Sequence, residues 1–183
     1  MQLTSHRRSL AASLVVLGIF GRLLPHPPNF TPVDAVCLFA GARLKRWQAF
    51  LTPLVVMAIT DALLTAFVGL PFSLKGRLVV YASLLLNVVI GRRLRTSQGS
   101  LRVGVATVAG SLQFFLLTNF GVWLGSRVYP QTGAGLVSCY VAGLPFLGRT
   151  LAGDLLFSAV LFGVYSWLSR TFYAKNPAFV EQR

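Results

Sequence analysis

The chain has 183 residues, 55% of them apolar and only 11% charged, with a mean hydropathy of +0.68 and a net charge of +13. A soluble domain carries about a quarter charged residues, so this balance excludes an ordinary soluble protein and leaves no room for a separate soluble domain. The positive charge does not read as a nucleic-acid footprint either: the basic residues stand in small clusters between apolar runs, as membrane topology is encoded, and form no continuous stripe.

Residues 9–24 are the first apolar run, preceded by His6, Arg7 and Arg8. No small-x-small cleavage site follows, so the run is read as a first helix rather than a signal peptide. Arg22 near its end is expected to snorkel to the interface. Pro25, Pro27 and Pro28 end this helix, and Thr31-Pro32 opens a second over 32–44, with Thr31 as N-cap and Pro32 in the first helical position. That helix is short for a full span and is expected to tilt or to extend past Arg43. Its small residues Ala35, Cys37, Ala40, Gly41 and Ala42 permit close packing. Further spans are expected over 47–70, with Pro53 and Asp61 inside it, over 78–94, with Tyr81 and Asn87, and over 101–125, with Gln113 and Asn119. The sixth is placed at 151–173.

Between the last two spans the chain reads as an outward cap over 126–150 rather than a membrane helix. The surrounding stretch from Thr118 to Asp154 holds Pro130, Pro145 and seven glycines. Non-helical backbone near membrane depth survives only where protein buries it or it lines a cavity, so this cap is the expected ligand-binding region. The whole is read as one all-α membrane domain over 1–183, a six-helix bundle. Six spans put both termini on one side. With the termini inside, twelve basic residues face the cytoplasm and five (Arg22, Lys75, Arg77, Arg127 and Arg149) face out, which selects cytoplasmic termini.

Only four acids are present: Asp34, Asp61, Asp154 and Glu181. Three lie in apolar segments, where a charge costs roughly 3 kcal/mol on insertion scales and usually faces a bundle interior or a wet cavity. Asp61 reads either as a polar contact to a substrate or as the buried partner of an arginine or of helix-end amides. Asp154, placed in the first turn of the sixth helix, complements a helix dipole, pairs with Arg149 or touches a ligand. Asp34 occupies the same kind of position in the second helix.

Arg149, an outer-side arginine, offers a rigid donor fork to a carboxylate, an amide-rich substrate or a phosphate, and alternatively is a surface residue. Arg127 beside Trp123 and Tyr129 reads as an interface anchor. Asn119, Tyr81 and Tyr140 can direct hydrogen bonds into an apolar cavity, though intramembrane asparagine is also a common interhelical clasp. Cys139 is a small buried hydrophobe or a soft metal ligand, for instance to the cobalt of a corrinoid, and a Cys37–Cys139 bond is conceivable.

The two cysteines and two histidines make no metal-ligand spacing, and there is no nucleophile motif, zinc-protease motif or phosphate loop. The chain is therefore read as a non-enzyme with no intrinsic cofactor.

The segments LLPHPPNFTPVDAVCLFAGARL, PLVVMAITDALL, FFLLTNFGVWL, YPQTGAGLVSCYVAGLPF and GDLLFSAVLFGVY together resemble a bacterial membrane family described as transport proteins. More distantly, in size, six helices and outward cap, the chain is similar to the S-components of energy-coupling factor vitamin transporters. That resemblance implies a substrate-binding subunit of the bacterial inner membrane. Such a subunit holds a micronutrient near the outer face and topples to release it inside, usually with a coupling subunit and two ATPases.

The coupling pattern Ala-x-x-x-Ala is broken here, since Val15 follows Ala11 and Val16 follows Ala12. This departure favours the solitary S-components, of which the cobalamin type is the example, and makes cobalamin the leading expected ligand. Asp61, Tyr81 and Arg149 are its foremost expected contacts, with Asn119, Cys139 and Tyr140 beside them. Two other classes stay open: a scaffold of a cell-envelope complex, with a filled core and a lateral protein-binding face, and an intramembrane enzyme.

Overall fold

The computed structural model describes residues 2–69, 74–96, 99–125 and 127–175; of residues 2–8 and 172–175 it describes the backbone. The described residues form α1 (Gln2–Leu23), α2 (Val33–Arg43), α3 (Arg46–Leu63), which runs on as a π-helical turn (Leu64–Val68), α4 (Leu74–Arg92), α5 (Ser100–Gly125) and α6 (Gly133–Lys175), with no strand among them. Four helices are long and apolar enough to cross a membrane: α3 with its π turn, α4, α5 and α6. The described residues are thus all-helical, in the manner of a membrane protein. Residues 70–73, at the end of the span expected over 47–70 and just beyond it, and the acid Glu181 lie outside the described residues.

The helix directions follow from which residues meet. Gly18 faces Val56 and Arg22 reaches Thr60 and Asp61, so α1 and α3 run parallel. The pairs Tyr81–Asp61 and Arg77–Thr65 make α3 and α4 antiparallel. Asp34 meets Asn87 and Leu38 meets Gly91, so α2 runs parallel to α4. Gln113 reaches Ser83 and Gly121 faces Val79, while Asp154 meets Ser111 and Gly143 meets Asn119. These set α5 antiparallel to both α4 and α6. Directions therefore alternate along the chain, and its two ends emerge at the same end of the bundle.

The central element is α2. Its 11 residues rise about 16 Å, half of a hydrocarbon core roughly 30 Å thick. Every residue from Val33 to Ala42 is buried, because α2 packs against all five other helices. The expected lengthening past Arg43 does not occur: Leu44 leaves the helix with extended backbone while its N–H still bonds the Ala40 carbonyl, and Arg95 caps the Leu44 carbonyl at 2.6 Å. At the other end the helix starts at Val33 with Pro32 in the cap position and no side-chain cap, one residue later than the Thr31 cap predicts.

Without a hydrophobic drive between helices in lipid, close packing and hydrogen bonds must hold them. Two glycines supply that closeness. A Cβ on Gly41 would strike the Val88 carbonyl of α4, and one on Gly91 would strike the Leu38 carbonyl of α2, so the two backbones touch directly. On the opposite side Phe39 of α2 stacks edge-on against Phe162 of α6 at 5.0 Å between ring centres.

The largest departure from the sequence reading is α6. Helix begins at Gly133 instead of 151, so the irregular link described between α5 and α6 shrinks to 127–132. The full helix has 43 residues and a length of roughly 65 Å. Local propensity over 133–150, with its glycines and Pro145, argues against this. Packing against α5 overrides it: Gly143 seats on Asn119 and Phe115, and the Tyr140 hydroxyl donates to the Leu116 carbonyl at 2.8 Å.

The start has its own signal in Thr132, whose Oγ1 accepts the Gly135 N–H at 3.2 Å in the standard N-cap manner. The short link is tied by Trp123 Nε1 donating to the Pro130 carbonyl and Gln131 donating to the Trp123 carbonyl.

Candidate functional site

Because α2 rises only half as far as its neighbours, the end of the bundle away from the termini is left partly hollow. Two cavities lie there. One, of about 460 Å³, sits between α5 and α6 and is bordered by Asn119, Tyr129, Cys139 and Gly143. The other, of about 300 Å³, is bordered by Arg22, His26, Asp34 and Leu84. They share four wall residues, Asn29, Val80, Phe114 and Thr150, and so form two lobes of one hollow. Its lining is mostly apolar with a few convergent polar groups, the usual make-up of a small-molecule site.

Beneath the hollow lies a belt of polar side chains. Asn87 donates through Nδ2 to Asp34 Oδ1, and its Oδ1 accepts from Gln113 Nε2 at 2.9 Å. The same Gln113 nitrogen donates to the Ser83 carbonyl. A Cβ on Gly110 would press on Asn87 Oδ1, so this glycine lets the asparagine lie flat against α5. Ser111 Oγ donates to Asp154 Oδ2 at 2.6 Å. Asp34 and Asp154 lie within electrostatic reach of each other. One turn beyond Asp154, the buried Ser158 hydroxyl has no hydrogen-bond partner among the described residues.

Asp61 stands apart from this belt. Arg22 Nη1 approaches its Oδ1 at 2.6 Å, Arg77 Nε lies 3.5 Å from Oδ2, and the Tyr81 hydroxyl donates to Oδ2 at 2.9 Å. The carboxylate thus ties α1, α3 and α4 together. Of the two sequence readings of Asp61, the arginine partner describes its contacts. Arg22 turns inward to this clasp, bonding Thr60 and the Met57 sulfur as well, and does not snorkel outward. Asp61, Tyr81 and Arg77 also border a third, mostly apolar recess of about 490 Å³ between α3 and α4.

The six residues singled out from the sequence do not converge on one place. Asn119 and Cys139 border the larger lobe, where the Cys139 thiol donates to the Asn119 carbonyl at 3.4 Å and the Asn119 amide donates to the Phe115 carbonyl. Asp61 and Tyr81 belong to the arginine clasp. Tyr140 binds the α5 backbone, stacks on Phe115 and borders neither lobe. Arg149 is exposed on α6 and also borders neither, because its position falls on the outer face of a helix where a loop was expected.

Asp154 is not a first-turn acid: it is the buried middle of α6, paired with Ser111 and not with Arg149. Cys37 and Cys139 are both free, so the conceivable disulfide is absent. Among the described residues no group of three or more His, Cys, Asp or Glu is placed to hold a metal ion.

The hollow and the belt beneath it also hold residues that sequence reading treats otherwise. Asp34 reads as a helix-dipole acid and Asn87 and Gln113 as polar residues within spans, while Phe114 and Thr150 draw no reading. An amide in an apolar run is a usable signal, since it must find a partner inside the bundle. Phe114 and Thr150 carry no such signal.

A sequence model described as "Family of unknown function (DUF6580)" matches residues 2–178, and the chain belongs to that family. No curated protein and no solved structure matches it.

Proposed function

We propose that this chain is a substrate-binding membrane protein for uptake of a small micronutrient, held in the two-lobed hollow above α2 and delivered in the manner of an S-component. The observation that carries the reading is the hollow itself. A short helix, buried from Val33 to Ala42, leaves space bordered by its longer neighbours, at the end of the bundle opposite the start of α1 and the end of α6. The bias of basic residues toward the terminal side supports an outward-facing hollow in a bacterial inner membrane with cytoplasmic termini.

The lobe volumes of about 460 and 300 Å³ suit a ligand of one or two ring systems. Cobalamin, a macrocycle with an appended nucleotide loop, is larger than either lobe. The volumes therefore favour a smaller vitamin over the corrinoid that the sequence resemblance suggests. A cobalt-ligating role for Cys139 loses its motive with it. The broken Ala-x-x-x-Ala pattern supports action without a coupling subunit and its ATPases.

The test is uptake of radiolabelled vitamins, cobalamin included, into cells expressing the chain. Wild-type protein is expected to raise uptake of one small vitamin, and Val80→Trp, which narrows the hollow at the wall common to both lobes, to abolish the increase at equal membrane abundance. Uptake that no vitamin increases, or that Val80→Trp leaves unchanged, contradicts the proposal.

A further inference from the structure

The smaller lobe has an uncompensated acid at its floor. Asp34 is 6% exposed and borders that lobe, held through Oδ1 by Asn87. Among the described residues it has no basic partner, since both ion pairs belong to Asp61. Arg22 borders the same lobe but is committed to Asp61 at 2.6 Å, and the His26 ring is engaged with the Pro27 and Arg22 carbonyls. Asp154, 2% exposed and held by the Ser111 hydroxyl, brings a second carboxylate within electrostatic reach.

A buried carboxylate is costly unless an opposite charge accompanies it, and a neighbour of like charge raises that cost. An ionised Asp34 therefore calls for a positive charge from a molecule held in the adjoining space. Phe114, on the wall common to both lobes, adds a ring of the kind that attracts cations. The lack of a metal-holding cluster among the described residues favours an organic cation over a bare metal ion.

We propose that the ligand is an organic cation whose positively charged nitrogen docks on Asp34, with Asn87 as the positioning residue that aims the carboxylate into the lobe. Asn29 and Thr150, where the lobes join, serve the neutral part of the ligand. This rests on the uptake reading and specifies the charge of its substrate.

The test is equilibrium binding to the purified full-length chain in lipid nanodiscs. Two pairs of probes are used: pyridoxamine against pyridoxine, which differ by an ammonium in place of a hydroxyl, and thiamine against riboflavin. At least one cationic probe is expected to bind wild type tenfold or more tightly than its neutral counterpart. Asp34→Asn, which keeps the shape and the Asn87 contact, is expected to remove that preference, and Asp34→Glu to retain part of it.

Neutral probes binding as tightly as cationic ones would overturn the cation inference and leave the uptake reading standing. A cation preference that persists in Asp34→Asn would overturn the role of Asp34. If no probe of either charge binds, the cation inference falls, while the uptake reading is decided separately by the wider vitamin uptake test. The wild-type comparison within each pair needs no variant, so it decides even if Asp34→Asn fails to fold.

Discussion

Asn87 and Asp61 show how single side chains hold this bundle. Asn87 satisfies a carboxylate on α2 and an amide on α5 at once, with no exposed surface. Replacing it by leucine strips the donor from Asp34 and the acceptor from Gln113. Asn87→Leu is expected to cost about 1–2 kcal/mol, the range of interhelical hydrogen bonds in membranes, read as the midpoint of denaturation in mixed micelles. Asp61 is a different case because its partners are full charges. Asp61→Ala leaves Arg22 part-buried beside an empty site and should cost about 3 kcal/mol or more. Adding Arg22→Ala should recover part of that loss, so the double variant is expected to be more stable than Asp61→Ala alone. Strict additivity in that cycle would show the clasp to carry no coupling.

At the scale of elements, the contact between α2 and α4 decides whether the hollow exists. Gly41 and Gly91 set two backbones in direct touch, and any side chain there meets carbonyl groups that cannot move aside. Gly91→Val is therefore expected to abolish folding or lower the unfolding temperature sharply. Gly104→Ala, in the interior of α5 where an added Cβ meets nothing, is expected to be neutral or to stabilise by about 0.5–1 kcal/mol through helix propensity. Thermal unfolding of the two variants beside wild type checks both.

The elements also show what sequence reading reaches. Apolar runs mark the helices in order, most plainly the four long enough to cross a membrane, because a lipid-crossing segment must be apolar along its length. Proline and glycine misled at 133–150: there the α5 surface accepts Gly143 and completes a helix that local propensity disfavours. The site was less legible than the fold. Pairings such as Asp34 with Asn87 or Ser111 with Asp154 join positions far apart in sequence, and no spacing rule encodes them. Arg149 stands outside the hollow because its position is helix where a loop is expected, and the Asp61 carboxylate faces Arg22, Arg77 and Tyr81.

On the scale of the whole molecule, alternating helix directions and the clustering of basic residues give a topology that can be read directly. In a background with Cys37 and Cys139 changed to serine, a membrane-impermeant thiol reagent should label Gln131→Cys, in the α5–α6 link, on intact cells. Lys45→Cys, in the α2–α3 turn, should label only after lysis. The reverse pattern would turn the hollow toward the cytoplasm and make the protein unfit for uptake.

The central claim, that the hollow above α2 holds one small ligand, is tested most directly by native mass spectrometry of the nanodisc-held chain incubated with a vitamin mixture that includes cobalamin. The account predicts one bound small vitamin per chain, lost in Val80→Trp while the variant keeps its unfolding temperature. A chain that binds nothing from the mixture, or that binds equally well as Val80→Trp, would contradict it.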